Sequence, residues 1–112
     1  MTAPTDNETW VVNRGDEIIE KKAGVGLAGL NDWEHLVYCL WVADYMMRNA
    51  GDLANAPDLY PSFQREARKC AKKLGLTASE KIFALPSKQF EREYFDRFEE
   101  VCEEIRNAES SG

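Results

Sequence analysis

The chain reads as an all-α protein, a compact bundle of four to five helices. Apolar residues recur at helical spacing along most of its length, glycine or proline punctuates each such stretch, and no segment alternates apolar and polar residues as a strand does. At 112 residues it is long enough for one domain and too short for two independent cores. Residues 8–107 form that domain, with polar, small-residue tails expected at 1–7 and 108–112.

From about Glu8 to Lys22, Trp10, Val11, Ile18 and Ile19 share one helical side, and Gly15 weakens the middle. The glycine-bearing stretch Ala23 to Leu30 is a connector. A phosphate loop would need a strand before it and a Lys-Ser/Thr pair after it, and it has neither. Asn31-Asp-Trp-Glu34 is a capping box, in which a short polar side chain and a glutamate three residues on satisfy each other's free amides. The helix it opens carries Trp33, Leu36, Val37, Leu40 and Trp41 on one face and Tyr38, Val42 and Tyr45 on another. A helix apolar on several sides is the central one, which places Trp41 in the core. Asn49-Ala-Gly-Asp52 ends it.

A third helix fits Asp58 to Leu74, with Leu59, Phe63, Ala67, Cys70 and Leu74 inward, Pro61 in its first turn and Gly75 as its stop. Thr77-Ala-Ser-Glu80 has the pattern of a second capping box, opening a short helix that Pro86 halts. Ser87 then caps the last helix, whose apolar stripe is Phe90, Tyr94, Phe98, Val101 and Ile105.

Twenty acids against fourteen bases give a net charge of −6, which repels phosphate backbones and anionic membranes, so neither is an expected direct partner. No run approaches the roughly 18 apolar residues needed to cross a bilayer. The amino terminus has neither the basic start nor the apolar stretch of a secretory signal. Cys39, Cys70 and Cys102 are odd in number, widely spaced and set in helical patterns, as buried reduced thiols in a cytoplasmic protein would be.

Catalysis needs a base, a nucleophile or a metal held by convergent residues. His35 is the only histidine. Cys39, four residues on, shares its helical face, but Tyr38, Leu40 and Trp41 surround it with the apolar setting that keeps a thiol protonated. No spacing suits a metal. No catalytic residue, metal or cofactor is therefore expected, and the chain reads as a non-enzymatic interaction protein.

Two places remain for function. Opposite the apolar stripe of the last helix lie Glu91, Asp96, Glu99, Glu100, Glu103 and Glu104, with Glu93 among them. Such a face suits a basic partner, unless it serves only to neutralise the chain's own Arg65, Arg68, Lys69, Lys72 and Lys73. The alternative is a small-molecule pocket beside Asp44, Arg48 and Asn49, because a carboxylate on an apolar face is costly unless paired. A homodimer whose aromatic excess fills a subunit interface is a third possibility.

Leu36-Val-Tyr-Cys-Leu-Trp-Val-Ala-Asp-Tyr-Met-Met-Arg-Asn-Ala-Gly51, with the preceding tryptophan helix and the terminal Phe-Glu-Arg-Glu-Tyr-Phe helix, resembles the DNA-mimic-like family of small all-helical bacterial proteins. In that family a Tyr/Trp-rich helix leads into an Asn-Gly-Gly turn. Here Arg48-Asn-Ala-Gly51 stands in its place, and Met46 stands where an acid is common. The resemblance implies an acidic helical protein, and for one relative it implies action by presenting DNA-like negative charge to a DNA-binding protein.

Overall fold

The computed structural model describes residues 6–111, with side chains through residue 109. They form α1 (Asn7–Val25), a 3-10 turn (Leu27–Gly29), α2 (Asp32–Ala50), α3 (Ala56–Leu59), α4 (Phe63–Leu74), α5 (Thr77–Phe83) and α6 (Ser87–Ser111), and no strand occurs among them. The described residues are all-α, with six helices rather than four to five. The additional break comes at Pro61. Tyr60 before it is extended, at φ −163° and ψ 89°, because the proline ring clashes with a helical predecessor. The stretch expected as one helix from Asp58 to Leu74 therefore divides into α3 and α4.

Both ends of the domain reach further than their composition suggests. Asp6 caps α1, accepting the Thr9 N–H at 2.8 Å, and Asn7, expected in a tail, is buried in the first turn. Residues 1–5 of that tail, and Gly112 of the other, lie outside the described residues. α6 runs on through the remainder of the expected carboxy-terminal tail. Within it Glu109 meets Arg14 of α1 at 2.6 Å.

α2 is the centre, as its many-sided apolarity predicts. Leu36, Val37, Cys39, Leu40, Val42, Ala43 and Met46 are each 1 % exposed or less. α1 crosses it antiparallel, with Lys21 on Glu34 at one end and Arg48 near Glu8 at the other. α6 is also antiparallel to α2: the Trp33 indole donates to the Ile105 carbonyl at 2.8 Å, and Asp44 meets Tyr94. α5 packs against both α4 and α6. Phe63, Phe83 and Phe90 form a triangle of ring contacts at 5.7–6.4 Å that joins these three helices.

Trp41 differs from expectation. It is half-buried, lying over Gly15 of α1 and stacked on Tyr45 at 5.4 Å. The two capping boxes also part ways. Asn31 and Glu34 exchange their bonds as the spacing predicts, at 2.8 and 3.0 Å. At α5 no side chain of the local sequence caps the helix. Glu104 of α6 does so instead, accepting the Ala78 and Ser79 N–H groups at 3.0 and 2.8 Å and the Ser79 hydroxyl at 2.8 Å.

Candidate functional site

The face of α6 turned away from Phe90, Tyr94, Phe98, Val101 and Ile105 carries Asp96, Glu99, Glu100 and Glu103, all exposed. Their spacing of i, i+3, i+4 and i+7 stacks them in one stripe along two helical turns. Little positive charge answers them. Asn7 of α1 donates to Glu99 at 2.8 Å and to Glu103 at 3.4 Å, which fixes two carboxylates without neutralising either. Arg97, on the flank, is committed to Glu93 at 2.8 Å and lies 3.9 Å from Glu100. Bonds from Arg97 and Gln89 hold the Glu93 carboxyl below the usual range.

Two acids expected in this surface are spent inside the fold. Glu104 caps α5, as described above. Glu91 accepts the Leu53 N–H at 2.8 Å and so ties the turn after α2 to α6. Both are half-buried, and they leave a stripe of four rather than six. Internal neutralisation by the α4 bases does not occur: among the described residues no ion pair joins Arg65, Arg68, Lys69, Lys72 or Lys73 to α6, and Lys73 lies 3.9 Å from Asp32.

Asp44, Arg48 and Asn49 do come together, around a shallow depression of about 120 Å³ that also touches Val12, Trp41 and Tyr45. Asp44 is 3 % exposed and fully engaged. Its carboxylate accepts from the Tyr94 hydroxyl at 2.7 Å and from the Arg48 Nε at 2.9 and 3.1 Å. Burial pushes its pKa up, and these two bonds hold it back. The Tyr94 hydroxyl, buried against that charge, is pushed well above its ordinary range. Asn49 donates to the Tyr45 carbonyl at 2.7 Å, closing the last turn of α2. The cluster is thus a brace between α2 and α6.

Arg48 does more than pair with Asp44. Its guanidinium lies over the faces of Phe95 and Phe98 at 5.1 and 4.9 Å, and around it three large apolar side chains reach solvent: Val12 at 44 %, Tyr45 at 47 % and Phe95 at 48 % exposure. Phe95 lies one residue before Asp96 and one turn before Glu99, so this apolar patch borders the acidic stripe. The sequence sets Tyr45 on the second apolar face of α2 and leaves Phe95 out of the α6 stripe, and it does not connect them, because the connection runs through three helices. A larger depression, of about 420 Å³, lies beside Arg14, Asp32, Trp33, Glu34 and Glu109, and each of its charged groups already has an ionic partner.

The three thiols are held protonated. Burial pushes the Cys39 thiol well up and raises Cys70 to about 11 and Cys102 further. His35 Nε2 lies 2.7 Å from the Tyr60 hydroxyl rather than engaging Cys39. Among the described residues no three His, Cys, Asp or Glu side chains converge as a metal site would need, and no helix is long and apolar enough to cross a membrane.

Fold and surface together define a class: a small all-helical protein with a braced interior and an acidic, aromatic-edged face. No protein-family model, curated protein or solved structure matches the chain.

Proposed function

We propose that the protein is a non-enzymatic, cytoplasmic interaction module that binds a basic partner, such as a DNA-binding protein, through the outer face of α6. One observation carries this: Asp96, Glu99, Glu100 and Glu103 stand exposed in one stripe, with Arg92 and Arg97 only at its borders, beside exposed Phe95 and Tyr45. Aromatic and arginine anchors with a charged border are the anatomy of a protein-binding surface. The charges steer the encounter and the rings supply contact area. The resemblance to the DNA-mimic-like family agrees with a spaced row of carboxylates offered to a protein that otherwise holds phosphates.

A small-molecule role is supported less well. The depression beside Asp44 is well below the roughly 300–1,000 Å³ of small-molecule sites, and its one buried carboxylate is already engaged.

The test compares proteins retained from the native cytoplasm by the immobilised chain and by a variant carrying Asp96→Lys, Glu99→Lys, Glu100→Lys and Glu103→Lys. A basic protein held by the first and lost by the second, with the variant still folded by circular dichroism, is the expected result. Equal retention by both would move the binding surface elsewhere.

A further inference from the structure

α4 repeats the pattern of α6 with the sign reversed. Phe63, Ala67, Cys70 and Ala71 are its buried side, and opposite them Arg65, Arg68, Lys69 and Lys72 are all exposed, at i, i+3, i+4 and i+7. Among the described residues none of these four has an ion pair. The one acid within α4, Glu66, is half-buried on the His35 side. The intervals match those of Asp96, Glu99, Glu100 and Glu103, and because the set reads the same from either end it matches in parallel and in antiparallel alignment. Each stripe covers about 10 Å of helix. Neither can reach the other within one molecule, since each lies opposite the buried side of its own helix.

We infer that the α4 stripe of one molecule docks on the α6 stripe of a second copy, so that the protein associates head to tail through complementary charge. The inference uses the same α6 face as the proposed function and adds a second claimant for it: a basic partner must displace a neighbouring copy's α4. A second copy is favoured over nucleic acid as the occupant of α4, because a net charge of −6 opposes the approach of a polyanion. A membrane is disfavoured too, because the apolar side of α4 is already buried in the core. The contact joins two different faces, so it either closes reciprocally about a two-fold axis, α4 on α6 twice over, or leaves one face of each copy open and extends to rings or chains. Arg92 and Arg97 at the borders of the α6 stripe, and Glu66 at the border of α4, limit how far the two helices can slide past one another.

Sedimentation velocity on the full chain tests this. At about 20 mM salt the weight-average mass should rise with protein concentration, and at about 500 mM it should fall to that of the monomer. An α4 variant (Arg65→Glu, Arg68→Glu, Lys69→Glu, Lys72→Glu) and the α6 lysine variant should each be monomeric alone, because each carries two like-charged stripes. Mixed in equal amounts they should associate again, a result that general charge screening does not produce. Arg68→Glu and Glu99→Lys, singly and mixed, repeat the test with the least perturbation, and the wild-type salt response needs no variant.

A wild-type chain monomeric at low salt, association indifferent to salt, or a mixture that stays monomeric overturns the inference. So does binding of duplex DNA by wild type that the α4 variant loses while no self-association is seen. The α4 variant keeps its α6 face. If it retains a basic cytoplasmic protein but never self-associates, the proposed function stands and this inference fails. If self-association follows the expected pattern and no basic protein is retained, the reverse holds.

Discussion

Gly15 lies in the middle of α1, where alanine would ordinarily favour the helix by about 1 kcal/mol. A Cβ there would stand 2.3–2.9 Å from Cδ1, Cγ and Cβ of Trp41. These atoms are at the root of the indole and cannot swing aside, so Gly15→Ala should destabilise the protein by about 1–3 kcal/mol through overpacking. Gly24, near the end of the same helix, faces open space, and a methyl group added there would meet no atom within 4 Å. Gly24→Ala should therefore be neutral or stabilising by up to about 1 kcal/mol. Urea titration of the pair separates close approach from propensity. From the sequence Gly15 looked only like a weak point. That it is a contact depends on Trp41, twenty-six positions away, arriving opposite it.

His35 is held below its ordinary pKa by burial beside Tyr60, against the opposing pull of Glu66 and Asp32. The folded state therefore binds this proton less readily than the unfolded chain. Its stabilising contribution is complete above about 6.5 and is lost as pH falls below that value. Between about pH 7.5 and 5.5 the urea midpoint of wild type should drop more than that of a His35→Gln variant. An identical drop would mean that burial does not act on this ring.

At the scale of the element, α2 was legible together with its cap, whereas α5 was legible as a helix but its cap was not. The signals for α2 are local: a box spanning four residues, an unbroken apolar run and Gly51 in a left-handed turn at φ 74°. Thr77 and Glu80 have the same box spacing, yet the free amides of α5 turn to Glu104, whose carboxylate offers a charge-assisted bond that a hydroxyl cannot match. Glu104 was for the same reason misplaced in the acidic face. Glu104→Ala should cost about 1–3 kcal/mol, because it strands two amides and a buried hydroxyl together. Glu104→Gln, which keeps an acceptor, should cost less. Denaturant titration reads both, and a loss below about 0.5 kcal/mol for the alanine would return Glu104 to the surface. Asp44 was legible in part: its need for partners follows from its place on an apolar face, but Tyr94 as one of them is set by the antiparallel docking of α6.

Across the whole molecule, the proposed function assigns stability and recognition to separate groups. Asp44, Glu91 and Glu104 bind the helices to one another, while Asp96, Glu99, Glu100 and Glu103 are exposed, with Asn7 bonded to two of them and Arg97 near a third. Exposed charges of this kind contribute about 0–1 kcal/mol each to folding, so removing them should leave the fold intact. On the proposed function their effect belongs to association, where a charged patch changes on-rates by tenfold or more and does so less as salt rises. The most direct measurement is the association rate of the captured basic partner with wild type and with an Asp96→Asn, Glu99→Gln, Glu100→Gln, Glu103→Gln variant, from about 50 to 500 mM salt. The wild-type rate should fall steeply with salt, the variant should be at least about tenfold slower at the lowest salt, and the two should converge at the highest. Equal rates across the whole range, with both proteins folded, would contradict the proposed function.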